Sequence, residues 1–188
     1  MARPRSDEKR SAIMAAAIRI IAAQGLSAPT AAIAKEAGVS NGALFTYFET
    51  KSDLLNQLYL HLKGDMAQTT MADLPLDADL RGQMLHVWNR WVQWAIDHPQ
   101  QRSALAYLGV SHDLTTATRD AASQLYGSIA TLLERSRANG SMRDAPLMFV
   151  GALVVALLDA TVDYMRTDAA NAPAHAAMGF AALWRILD

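Results

Sequence analysis

Residues 34–55 read AKEAGVSNGALFTYFETKSDLL and concentrate side chains able to make directional contacts. Asn41 has an amide that can donate and accept at once. Ser40, Thr46 and, just upstream, Thr30 carry hydroxyls, Lys51 carries an ammonium, and Phe45 and Tyr47 present flat apolar rings. No nucleophile–base pair or phosphate-cradling loop accompanies them. Cysteine is absent, which excludes disulfides and thiolate metal sites. His86, His98, His112 and His175 lack metal-ligand spacing, so neither a metal nor a cofactor is expected. The chemistry on offer is recognition through hydrogen bonds and apolar contact.

Such contacts need a frame. With Thr30 as the first position of a twenty-residue window, Ile33, Ala34, Ala37, Gly38, Val39 and Leu44 occupy positions 4, 5, 8, 9, 10 and 15. Ala34 is small where a second helix must cross. Gly38 suits a left-handed turn that strains any side chain. Ile33, Ala37, Val39 and Leu44 fill the wedge between the helices, and Ile13, Ala17 and Ile20 of a preceding helix close the core. Any helical hairpin wants small residues and a glycine at its bend, but that leaves the outward face unexplained. Ser40, Asn41, Gly42, Ala43 and Thr46 have so little bulk that the helix backbone can press into a DNA major groove.

The stretch TAAIAKEAGVSNGALFTYFETKSDLL, with AAAIRIIAAQGLSAPT before it, resembles the helix-turn-helix segment of tetracycline-repressor-like (TetR) transcriptional regulators over about residues 10–60. Ala43 and Phe45 stand where the family often has a hydroxyl residue and a tyrosine. The resemblance implies that Asn41, Gly42, Ala43, Phe45 and Thr46 face the groove. Asn41 would pair with adenine, and Ala43, Phe45 and Thr46 would touch thymine methyls. It also implies that Thr30, Ser40, Tyr47 and Lys51 hold phosphates, helped by nearby helix N-termini. Leu44 and Phe48 are expected in the core. Arg3 and Arg5 could enter the neighbouring minor groove as a basic arm.

Apolar residues make up 52% of the 188 residues and charged ones 19%, a globular balance rich in alanine. Net charge is −1, yet residues 1–51 carry seven Lys/Arg against four Asp/Glu, and residues 52–188 carry ten against fourteen. A basic head on an acidic body suits a local phosphate contact and disfavours a sequence-blind DNA-coating protein. No period-2 alternation appears, so the fold is expected to be all-α. About nine helices are expected, near 7–24, 30–37, 40–48, 51–71, 78–97, 99–111, 114–138, 145–166 and 173–187, with Thr30 and Ser40 as N-caps. The division expected is a DNA-binding domain over 1–50 and a ligand-binding and dimerisation domain over 51–188. The apolar run Leu147–Leu158, twelve residues long, is too short to cross a bilayer, which takes roughly 20. With no apolar leader visible in MARPRSDEKRSAIM, a cytoplasmic protein is expected.

A two-turn reading helix makes few base contacts, and the resemblance implies a homodimer reading a palindromic double-stranded DNA operator. The last two helices, about 145–166 and 173–187, are the expected interface. The first is apolar nearly all round, and the second carries Ala177, Gly179, Ala181 and Ala182 for close approach. They could also form the monomer core. The family also implies a pocket for a small-molecule inducer, with Met84, Trp88, Trp91, Tyr107, Tyr126 and Met148 as candidate lining. An aromatic stripe of this kind is also what a plain core helix shows. Asp159 and Asp163 could hold a cationic ligand, pair across the dimer or sit at an exposed edge. The expected function is a ligand-responsive repressor; the alternative is an all-α enzyme or small-molecule-binding protein whose bend only mimics the motif.

Overall fold

The computed structural model describes residues 5–188, with side chains from residue 7 onward. Arg3 and the side chain of Arg5, the expected basic arm, lie outside the described residues. Among the described residues there are ten α-helices and no strand: α1 (Arg5–Gln24), α2 (Thr30–Glu36), α3 (Asn41–Tyr47), α4 (Lys51–Met71), α5 (Leu80–Asp97), α6 (Pro99–Gly109), α7 (Thr116–Leu125), α8 (Gly127–Arg137), α9 (Leu147–Thr167) and α10 (Ala172–Leu187). The tenth arises because the helix expected over 114–138 breaks at Tyr126. There the backbone leaves the helical basin (φ −97°, ψ 8°), and Gly127, a poor helix former, begins α8.

The helices gather into two compact units. One contains the described residues up to Asp65 together with His98–Gln124; the other contains Met66–Asp97 and Leu125–Asp188. Neither coincides with the segments 1–50 and 51–188, because α6 packs along α1 and the first half of α4 shares its core.

In the first unit, Ile13, Ala16, Ala17 and Ile21 of α1 recur at helical spacing and are buried. They meet Ile33 and Ala34 of α2, Leu44 and Phe48, Leu54, Leu55 and Leu58 of α4, and Ala104 and Leu108 of α6. Each buried leucine or isoleucine contributes about 1.5–3 kcal/mol, which is what holds so short a pair as α2 and α3 in place. Ile20, expected in this core, is partly buried against it. On the surface, Arg19 and Glu36 tie α1 to α2 through an ion pair of 2.7 Å.

In the second unit, Met84, Val87, Trp88, Val92, Trp94 and Ala95 of α5 are buried with Val150, Val154, Leu158, Val162 and Met165 of α9 and Phe180, Leu183 and Leu187 of α10. At Gly179 α10 packs tightly on its neighbours. A Cβ there would lie 2.4 Å from Thr161 Oγ1 and 2.8 Å from Trp88 Cζ2. Trp88 Nε1 donates to the Ala176 carbonyl at 3.1 Å, so its polar edge is satisfied. The apolar run Leu147–Leu158 belongs to a helix of 21 residues, long and apolar enough by those measures to cross a membrane. Its stripe at 150, 154, 158, 162 and 165 is buried against protein, whereas Phe149, Val155 and Tyr164 are exposed.

Candidate nucleic-acid interface

The bend between α2 and α3 is built from main-chain hydrogen bonds. Val39 N–H donates to Ala34 O at 3.0 Å and Gly38 N–H to Lys35 O at 3.1 Å, the paired bonds of a Schellman motif. Gly38 takes φ +69°, the left-handed conformation expected of it. Ser40 then caps α3: its Oγ accepts from Ala43 N–H at 3.1 Å. Thr30 does not cap α2. Pro29 holds the extended cap position at φ −73°, ψ 145° and offers no side-chain bond, so Thr30 becomes the first helical residue, half-buried.

These constraints decide which side of α3 is wet. Leu44 and Phe48 are buried, as expected, and Tyr47 packs partly against the same core. Ser40, Asn41, Gly42, Phe45 and Thr46 are exposed and Ala43 is half-exposed. Phe45 is 41% exposed, an unusual placement for a large apolar ring. Thr46 Oγ1 donates to Ala43 O, so its proton is spent within the helix. Nothing lies within 4 Å of a Cβ built on Gly42, leaving the backbone there open to close approach.

The start of α4 braces this pair. Lys51 Nζ donates to Leu26 O at 2.6 Å and Ala28 O at 2.8 Å, fastening α4 to the α1–α2 connection. Two of its three protons are thereby used, and one is left for an anion. Asp53 accepts from Glu49 N–H at 3.1 Å and Thr50 Oγ1 from Asp53 N–H at 3.0 Å, a reciprocal cap. Arg10 lies over the Phe48 ring, 5.3 Å from its centroid, and donates to Gln57, whose Nε2 donates to Asp53 Oδ1 at 2.7 Å.

Asn56 is the polar residue that sequence reading passed over. Only 9% exposed, it donates from Nδ2 to Ser52 O (2.7 Å) and Asp113 O (2.8 Å), and its Oδ1 accepts from Thr115 N–H (3.0 Å). Its signal was its place between Leu55 and Leu58 on the inward stripe of α4, where an amide must find partners. Nearby, burial pushes the Tyr59 phenol upward, opposed by the Arg119 guanidinium.

The expected ligand residues do not all meet. Met84, Trp88 and Trp91 line a cavity of about 20 Å³ with Val87, Ile129, Leu133, Val154 and Leu183. That is room for about one water molecule. Tyr126 is half-buried at the α7–α8 break. Tyr107 is in the first unit, 44% exposed and beside Gly25, and Met148 is 78% exposed. Of the two aspartates, Asp163 is exposed and Asp159 half-buried. At the α9–α10 corner, His175 Nε2 lies 2.7 Å from Asp168 Oδ2, and hydrogen bonds from His175 and Asn171 hold the Asp168 carboxyl below the usual carboxylate range.

Residues 13–58 match the model for bacterial regulatory proteins of the tetR family. Solved structures align over nearly the whole chain. A tetR-family transcription regulator from Shewanella sp. PV-4 is 27% identical, with 94% of this chain and 96% of the other covered and a TM-score of 0.84. A TetR-family regulator from Marinobacter aquaeolei VT8 is 19% identical over 99% and 98%, with a TM-score of 0.87. The TetR-like regulator LfrR from Mycobacterium smegmatis, solved in complex with proflavine, is 16% identical over 94% and 95%, with a TM-score of 0.69.

Proposed function

We propose that this chain, whose residues 13–58 match the tetR-family model, is a TetR-family transcriptional regulator that acts as a ligand-responsive repressor. It binds a palindromic operator as a homodimer and leaves it when a small-molecule inducer binds. The observation that carries the reading is the exposed, low-bulk face of α3, held outward by the Gly38 turn, the Ser40 cap and the Lys51 brace. Asn41 reads adenine through a bidentate amide contact, and Ala43, Phe45 and Thr46 meet thymine methyls. Gly42 lets the backbone approach. Thr30, Ser40, Tyr47 and the free proton of Lys51 hold phosphates and so set register without reading sequence.

In this reading residues 1–50 bind DNA, and residues 51–188 hold the ligand and the partner subunit in the cytoplasm. The dimer forms through α9 and α10. Phe149, Val155 and Tyr164 of α9 and Met178 of α10 are large apolar side chains left exposed in the single chain. Beside them Leu157, Ala160, Thr161, Tyr164, His175 and Met178 line a concavity of about 500 Å³. Large apolar side chains left exposed in this way favour a second copy over water. The inducer enters beside Met84, Trp88 and Trp91, with Tyr107, Tyr126 and Met148 as outlying candidates, by parting side chains around the small apolar cavity. Proflavine in the LfrR complex is the kind of aromatic ligand that such a lining suits. Inducer binding changes operator affinity by about 5- to 150-fold, the usual range of such coupling.

Selection of bound sequences from random duplex DNA by the full chain tests the reading. An inverted repeat with two half-sites is expected. Asn41→Ala should relax preference at one base pair per half-site by about 1–3 kcal/mol. Enrichment of no sequence at low salt would remove the DNA-binding assignment.

A further inference from the structure

Asn56 spends its whole side chain on main-chain groups from two places. It takes the Thr115 N–H and gives to the Asp113 carbonyl, and it also bonds Ser52 O one turn back in α4. Ser52 Oγ reaches the same Asp113 carbonyl at 3.2 Å. The segment 111–115, between α6 and α7, is thus clipped to the second turn of α4. It is stiff in itself: Ser111 Oγ accepts from Asp113 N–H at 3.1 Å, Thr115 Oγ1 caps α7 at Thr118 N–H, and Arg119 donates to Ser111 O at 2.8 Å.

One turn N-terminal on α4, Lys51 is fastened to the α1–α2 connection, which leads directly into the reading pair. The first six residues of α4 therefore hold two polar clips, one toward the reading helix and one toward segment 111–115. Leu54, Leu55 and Leu58 fill the space between as shared core. A slide or rotation of α4 against the segment breaks the Asn56 bonds to Asp113 and Thr115 together and leaves the Asn56 amide, only 9% exposed, short of partners, so intermediate positions are disfavoured.

We propose that Asn56 is a positioning residue that couples segment 111–115 to the reading helix, so that DNA occupancy and closure of this clip favour one another. The proposal rests on the DNA-binding reading above and adds to it a named point of regulation. Coupling is reciprocal, so it is measurable from the DNA side with no inducer in hand.

The test is hydrogen–deuterium exchange on the full chain, with and without a duplex carrying its selected sequence, followed in peptides covering 110–118. In the wild type, DNA should slow exchange there by at least about fivefold, the low end of the coupling range. Asn56→Ala should abolish that slowing and weaken binding to all sequences alike, leaving base preference unchanged. Asn56→Asp keeps an acceptor for the Thr115 N–H but loses the donors that hold the Asp113 carbonyl, so it should show a reduced response of the 110–118 peptides to DNA. If the alanine variant fails to fold, the wild-type and aspartate arms still decide. Binding of DNA with no change at 110–118 in the wild type overturns the proposal. So does an undiminished response in either folded variant. Failure to bind any DNA would strike the DNA-binding reading itself, which separates the two.

Discussion

Two glycines four residues apart should respond oppositely to the same added methyl. Gly38 holds φ +69° and has nothing within 4 Å of a built Cβ. Gly38→Ala therefore carries no packing penalty, only the left-handed strain of an L-residue, about 1–2 kcal/mol. Asn at this position should recover part of that loss, because asparagine tolerates the conformation. Gly42, also without neighbours within 4 Å, lies in the first turn of α3 with no positive φ. Gly42→Ala should stabilise the fold by up to about 0.5–1 kcal/mol, since alanine loses less backbone freedom in a helix. If α3 presses its backbone into the groove, that methyl occupies space meant for DNA. A tenfold loss of affinity, about 1.4 kcal/mol, is then expected despite the more stable fold. Urea unfolding gives the first quantity, and fluorescence anisotropy with a selected duplex gives the second. Gly42→Ala that binds DNA as tightly as wild type would refute the close approach. Gly38→Ala of unchanged stability would refute the strain argument.

Other outcomes follow from the same geometry. Lys51→Met removes two charge-assisted bonds to Leu26 O and Ala28 O, so it should cost about 2–3 kcal/mol in denaturant unfolding and lower DNA affinity evenly across sequences. Gly179→Ala forces a methyl against Thr161 and Trp88; it should cost about 1–3 kcal/mol and shift tryptophan fluorescence, whereas an unperturbed spectrum would contradict the packing. Asp168 has its carboxyl pKa depressed in the folded state, so its contribution is present above the unfolded carboxylate range and lost as pH falls through the folded value. His175→Ala should raise the Asp168 pKa in an NMR titration. Tyr164→Glu or Met178→Glu should yield monomers in sedimentation velocity if α9 and α10 form the dimer.

The turn and the exposed face of α3 were legible in the sequence because their causes are local. Gly38 and Ser40 act through bonds to residues three to five positions away, and Leu44 and Phe48 follow helical period. Less legible was anything whose partner is remote in sequence. Lys51 reads as a free surface cation until its carbonyl partners, 23 and 25 residues earlier, come into place. Asn56 reads as one more helix residue until Asp113 and Thr115 arrive. The break at Tyr126 was missed because glycine alone is a weak stop inside an otherwise periodic run. Thr30 was displaced from the cap by its proline neighbour, a one-residue shift that local propensity does not resolve. Aromatic residues grouped by type did not all become neighbours: Trp88 and Trp91 share a cavity lining, while Tyr107 and Met148 are exposed.

The central claim is that α3 reads DNA through Asn41 and its low-bulk neighbours. The most direct measurement is base-by-base affinity of wild type and Asn41→Ala on the selected operator and its single-substitution variants. Lost discrimination at one position in each half-site, with the others kept, is expected. Equal weakening at every position, or discrimination untouched, would contradict it.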